Sequence, residues 1–293
     1  VPTDLVNPVA VSAGDDHTCA IDDNGLHCWG QNRDRQNDVP SGLLNPMAVA
    51  ADNMHTCAID GQTDVPMNLA NYDKRVLCWG HNEWGNTEVP TDLVNPVAVT
   101  AGLYHNCAVD VDPFNKNNPR VSCWGWNESG QTDVPTDLVN PVAVSAGVHH
   151  TCAIDDNGVH CWAHNNDGQT DVPTNLVNPV AVAVNGSHTC AIDDNGLQCW
   201  GWNDYGQTDV PTDLVNPVAI AVNTSYTCAL DDKGLHCWGS NIEGQTDVPS
   251  DLVFDPDGDG VTNQNGLDAF PLDATEDTDT DSDGTGNNAD TDD

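Results

Sequence analysis

The stretch VAVSAGDDHTCAIDDNGLHCWG, residues 9–30, reads as three short β-strands. Its opening run is small, apolar and β-branched, and Pro8 and Gly14 bound it. HTCAI and LHCWG then flank DDNG, whose Asp, Asn and Gly accept the left-handed geometry of a tight turn. With the turn centred between Asp23 and Asn24, Cys19 lies directly opposite Cys28. Opposed antiparallel residues sit about 4.5–5.5 Å apart at Cα, inside disulfide range. Cys19, Ile21, Leu26 and Cys28 share one face of this ribbon, while Ala20 and Trp29 fall on the other. A sheet apolar on both faces must be covered on both.

Working outward, the cover is supplied by repetition. VPTDLVNP or a close variant begins at Val1, Val39, Val89, Val134, Val172, Val210 and Val248, in steps of 38, 50, 45, 38, 38 and 38 residues. One unit like residues 9–30 follows each of the first six copies, with three strands, at most a fourth, and no room for a helix. Stacked blades around an axis cover both faces of such a unit, which a single unit cannot do. The expectation is an all-β, six-bladed β-propeller over residues 1–253, with repeats at about 9–40, 47–90, 97–135, 142–173, 180–211 and 218–249.

The twelve cysteines follow the same plan. Cys19–Cys28, Cys152–Cys161, Cys190–Cys199 and Cys228–Cys237 share one C-x8-C spacing. Cys57–Cys78 and Cys107–Cys123 keep the flanking sequence around longer hairpin tips. One bridge per blade, each closing a short loop, contributes about 2–3 kcal/mol. The rival is zinc, but no C-x2-C knuckle occurs. Disulfides place the chain in an oxidising compartment, extracellular or at a cell surface. With 46 acidic and 7 basic side chains the formal charge is −39. Nucleic acid is excluded as a partner, because little here can displace counterions from phosphates. No run of 18 apolar residues is present, so no membrane insertion is expected. Beginning inside a repeat without Met, the chain is expected to be the mature product of a longer precursor.

HTCAIDDNGLHCWGQN (17–32), followed in later units by GQTDVP (as at 168–173), resembles the regulator-of-chromosome-condensation repeat in its short bacterial secreted form. The resemblance recurs six times across residues 1–253 and implies a propeller, usually of seven blades. Its bacterial members include inhibitors of secreted enzymes. This chain departs in having six units and a cysteine pair in each.

After Val253 the composition changes: residues 254–293 hold thirteen acidic side chains and no Lys, Arg or Cys. DPDGDGVTN and DTDSDGTGNNAD both carry D-x-D-x-D-G, in which alternating oxygens converge on a hard cation and Gly permits the sharp turn. The expected calcium ligands are Asp255, Asp257, Asp259, the Val261 carbonyl, Asn263 and Asp268, and then Asp279, Asp281, Asp283, the Thr285 carbonyl, Asn287 and Asp290. The pattern resembles thrombospondin type 3 repeats; its rival is a solvated acidic tail.

No G-x-S-x-G, H-E-x-x-H, phosphate loop or dinucleotide fingerprint occurs, and each candidate base recurs in equivalent copies, which points to scaffold and not to an enzyme. His17, His55, His105, His150 and His188, with Tyr226 in the sixth unit, are expected to hydrogen-bond within their own blades. Trp29, Trp79, Trp124, Trp162, Trp200 and Trp238 are expected to pack between blades. Trp84, Trp126 and Trp202 break from the repeat and are expected in loops, as contact surface. Together these readings favour a structural or adhesive subunit, calcium-dependent and filament-forming, over a ligand-binding propeller acting as enzyme inhibitor or lectin. Its partners would be further copies of itself, another extracellular protein or a glycan. The connector supplies one clue: six units need six copies and the chain has seven. A head-to-tail contact that fails to close yields a filament.

Overall fold

The computed structural model describes residues 2–61, 74–111, 119–249 and 252. Every unit folds as an antiparallel three-stranded sheet in the order of its sequence. Blade 1 is β1 (Ala10–Ala13), β2 (His17–Asp22) and β3 (Gly25–Gly30), and blade 2 is β4 (Pro46–Asp52), β5 (His55–Gly61) and β6 (Lys74–Gly80). Blade 3 is β7 (Pro96–Ala101), β8 (His105–Val111) and β9 (Pro119–Gly125), and blade 4 is β10 (Ala143–Ala146), β11 (His150–Asp155) and β12 (Gly158–Ala163). Blade 5 is β13 (Ala181–Asn185), β14 (His188–Asp193) and β15 (Gly196–Gly201), and blade 6 is β16 (Ala219–Val222), β17 (Tyr226–Asp231) and β18 (Gly234–Gly239). The architecture is the all-β, six-bladed one expected, with three strands per blade and no fourth among the described residues.

The hairpin register is set by a two-residue turn. Asp22 opposes Gly25, Ile21 opposes Leu26 and Cys19 opposes Cys28. All six intra-blade disulfides form, with Cα–Cα distances of 4.0–4.1 Å. Blades 2 and 3 keep this register despite their longer tips, pairing Cys57 with Cys78 and Cys107 with Cys123.

Where the second strand begins and the third ends, the backbone turns sharply. Gly30 there has φ 109°, and an added Cβ would stand 2.5 Å from the Asp16 carbonyl oxygen. Blade 4 places Ala163 at the same point, at φ 82°, a left-handed conformation that costs an L-residue roughly 1–2 kcal/mol.

Successive blades stack face to face. Cys57, Ile59 and Val76 of blade 2 pack on Ala108 and Trp124 of blade 3, with Val89 and Leu93 of the connector wedged alongside. Cys107, Val109 and Val121 repeat the arrangement against Ala146, Ala153 and Trp162, with Val134 and Leu138. The expected packing of the repeated Trp between blades therefore holds for Trp124 and Trp162. First strands neighbour first strands around the centre, where Ala51 N–H donates to Ser12 Oγ (2.9 Å) and Val184 N–H to Ser145 Oγ (3.1 Å).

Candidate assembly interface

Beside the apolar contacts, each junction carries a polar rail built from three positions of the repeat. His17 Nε2 meets Thr56 Oγ1 of blade 2 at 2.8 Å, and Thr56 Oγ1 donates to the Gln36 carbonyl at 3.0 Å. Trp79 Nε1 donates to the same carbonyl at 2.9 Å. The next junction substitutes amides: His55 Nε2 meets Asn106 Oδ1 at 2.7 Å, and Asn106 Nδ2 and Trp124 Nε1 both donate to the Asn86 carbonyl. His105 with Thr151, His150 with Thr189 and His188 with Thr227 complete five junctions at 2.8–3.0 Å. Thr151, Thr189 and Thr227 donate in turn to the carbonyls of Gln131, Gln169 and Gln207.

This corrects the expectation that each His bonds within its own blade. The ring points out of its sheet, so its partner belongs to the following blade, some 39–51 residues away in sequence. Because the Thr proton is committed to the Gln carbonyl, Nε2 must be the donor, and burial, which disfavours the charged form, holds the imidazole neutral. Nδ1 of His105, His150 and His188 has no partner among the described residues. Burial drives these rings well below their usual range, to about 4 for His55 and His188 and about 3 for His105 and His150.

Sequence reasoning also missed the shared-carbonyl residues and a ring of aspartates. Gln36, Gln131, Gln169 and Gln207 are fully buried; in each, Oε1 or Nε2 braces its own turn, as where Ser129 N–H donates to Gln131 Oε1. Asp22, Asp60, Asp110, Asp155, Asp193 and Asp231 lie at or one residue before the end of the second strands and accept connector N–H groups, such as Val6 N–H (2.8 Å) and Val215 N–H (2.7 Å). The signal in both cases was recurrence at a fixed position, the Asp in every unit and the Gln in all but one, where Asn86 stands.

The rail stops at the two ends of the chain. Thr18 and Trp29 occupy the receiving positions of blade 1, yet no hydrogen bond reaches either side chain. Thr18 is half-buried, whereas Thr56, Asn106, Thr151, Thr189 and Thr227 are 0 % exposed. At the other end Tyr226, Cys228 and Leu230 are half-buried, where their counterparts His105, Cys107 and Val109 are 0–1 % exposed. The turn before the missing junction is nevertheless in place, with Glu243 N–H donating to Gln245 Oε1 at 2.8 Å. Among the described residues no hydrogen bond joins blade 6 to blade 1, so the rail is interrupted between these two blades.

Trp84, Trp126 and Trp202 lie in loops, as expected. Two of them join a row of rings along the edge where second strands begin: His81, Trp84, Tyr104, Trp126, His149 and His164, with centroids 4.4–5.7 Å apart. Trp202 stands apart, edge-on to Tyr205 at 5.3 Å. The expected calcium ligands, Asp255 through Asp290, lie outside the described residues. Among the described residues, no three His, Cys, Asp or Glu side chains are placed to hold a metal ion.

The family model of the "Regulator of chromosome condensation (RCC1) repeat" matches residues 9–36 and 180–207, in blades 1 and 5. Among solved structures, the chain is similar to the entire ectodomain of the receptor kinase CR4 from Physcomitrella patens, at 25 % identity and TM-score 0.63. That likeness covers 82 % of this chain and 63 % of the ectodomain, so the chain spans less than two thirds of its length. It is similar to the CRINKLY WD40 ectodomain of the Arabidopsis thaliana receptor kinase ACR4, at 21 % identity and TM-score 0.60, over 79 % of this chain and 85 % of that one. Yeast RCC1 (Prp20), in its structure bound to Kap60, matches at 16 % identity and TM-score 0.65, over 82 % of this chain and 71 % of that one. No curated protein matches. The chain thus carries RCC1-like β-propeller repeats.

Proposed function

We propose that the chain is a non-enzymatic, extracellular structural or adhesive protein that works as a subunit of a larger assembly. The interrupted rail carries this reading: among the described residues five junctions are built to one plan, and no hydrogen bond joins blade 6 to blade 1. The buried His, Thr, Gln and Trp of the repeat are spent on holding blades together, which leaves them no part in catalysis. Six disulfides suit an oxidising, extracellular setting. No helix among the described residues is long and apolar enough to cross a membrane. Calcium is proposed to bind the acidic tail through Asp255, Asp257, Asp259, Asn263, Asp268, Asp279, Asp281, Asp283, Asn287 and Asp290, with the Val261 and Thr285 carbonyls, relieving part of the −39 charge that opposes association. Electron microscopy of purified protein with and without chelator tests the reading. Regular chains that fray on calcium removal are expected; monodisperse single particles under both conditions overturn it.

The row of rings favours a second reading, a ligand-binding propeller acting as lectin or as inhibitor of a secreted enzyme. Aromatic faces stack on apolar patches of sugars and peptides. Glycan-array binding that is lost in Trp126→Ala would establish the lectin form, and an unchanged array would remove it.

A further inference from the structure

Blade 1 and blade 6 present the two halves of a junction that the molecule makes five times within itself. Blade 1 is complete on its receiving side. Val6 N–H is already seated on Asp22 Oδ2, so its connector is in place, and Leu5 stands where Leu138 fills the junction between blades 3 and 4. What this side lacks is an acceptor for Trp29 Nε1 and a partner pair for Thr18 Oγ1. Blade 6 is complete on its offering side. The turn at Gln245 is formed, and its carbonyl belongs to the position that each earlier junction shares between a Thr or Asn and a Trp. Tyr226 stands where the other units have His. Its hydroxyl is a donor, as Nε2–H is at the inner junctions, carried on a ring suited to a surface that is half wet before docking.

We infer that blade 6 of one copy docks on blade 1 of a second copy of this chain, Tyr226 and the Gln245 carbonyl receiving Thr18 and Trp29 as a sixth junction. This rests on the reading of the chain as an assembly subunit and names the surface through which it assembles. The occupant is a second copy because the two open faces match each other position by position and continue an interface already formed five times. The contact is heterologous, one face meeting a different one, and each bound copy leaves a fresh face exposed. Chains therefore grow from both ends. Each copy is strongly acidic, so growth needs screening by salt or divalent cations.

The experiment uses two full-length variants. Thr18→Arg blocks the receiving face and Tyr226→Arg blocks the offering face; both side chains are half-buried and unbonded, and circular dichroism checks that each variant folds. Leu230→Arg is a second block of the offering face. Mass photometry at high ionic strength with calcium reads the size. Wild type is expected to form a ladder of oligomers, each variant alone to remain monomeric, and an equimolar mixture of Thr18→Arg and Tyr226→Arg to give dimers and nothing larger. If the folded variants build the same ladder as wild type, this interface is wrong while the assembly reading stands. A mixture that stays monomeric while wild type assembles overturns the heterologous pairing. Wild type that remains monomeric under every condition overturns the assembly reading and the interface with it.

Discussion

At the scale of single residues, the junction rail ties buried polarity to blade docking. Thr151 accepts from His105 Nε2–H at 2.8 Å and donates to the Gln131 carbonyl at 2.9 Å, with no access to water. Thr151→Ala leaves both partners buried and unsatisfied, a loss of about 2–4 kcal/mol. The same substitution at Thr18 removes no hydrogen bond and stays within about 0.5 kcal/mol of wild type. Urea unfolding of the two variants checks the contrast, and equal losses would mean that Thr18 is engaged like the others. The His105 ring adds a pH dependence. Its folded value is depressed to about 3, against an unfolded value of about 6.5. Between those limits the unfolded chain holds the extra proton. The stability from the neutral ring is thus fully present above about pH 6.5 and is lost as pH falls towards 3. Asp52, raised to about 7 by burial and by Asp15, works in the opposite sense, stabilising at low pH. Comparison with His105→Gln, which keeps a donor for Thr151 but cannot titrate, removes Asp52 and the global charge from the result. The stability difference between wild type and variant should fall by about 1.4 kcal/mol per pH unit from pH 6 to pH 4. A flat difference would show that the ring is already solvated.

At the scale of the blade, each hairpin is clamped by its bridge; the second cysteine is half-buried in all six, and the bridges differ in access to the first. Cys19, Cys57, Cys107, Cys152 and Cys190 are 0 % exposed beneath the following blade, while Cys228 is half-buried. Thiol attack requires access to a sulfur. Limited reduction followed by alkylation and peptide mapping should label Cys228 and Cys237 first; uniform labelling would contradict a one-sided sixth blade. The blade was the most legible unit of the sequence. The Cys19–Cys28 spacing, the Asp23–Asn24 turn and the alternation of Ile21 with Ala20 are local, and they set the register without reference to anything distant. His17 was not legible in the same way. Its partner Thr56 lies one blade away, and no local pattern tells a ring that bonds within its sheet from one that bonds outside it. Tyr226 and Gln245 were visible as repeat positions. Their missing partners became apparent only once the order of stacked blades was known.

At the scale of the whole molecule, a rail interrupted between blades 6 and 1 makes stability depend on position. Repeat arrays draw much of their stability from nearest-neighbour interfaces. Among the described residues, blades 2–5 have two such interfaces each, and blades 1 and 6 have one. The missing neighbour removes from blade 1 the acceptor for Trp29 and the cover over Thr18, and from blade 6 the cover over Tyr226, Cys228 and Leu230. The end blades should therefore open without unfolding the middle, as low-stability cooperative units do. Amide hydrogen exchange on the isolated chain is expected to be at least about tenfold faster in β2 and β17 than in β8 and β11, a gap of about 1.4 kcal/mol or more in local opening free energy. Assembly through the end faces should then erase the gradient, bringing Thr18 and Tyr226 to the protection of Thr151 and His150. The tail and the disulfides are common to both states, so the gradient and its loss report on the junction alone. Uniform protection in the monomer would require a ring already closed, and a gradient that persists in assembled material would place the contact somewhere other than on these two blades.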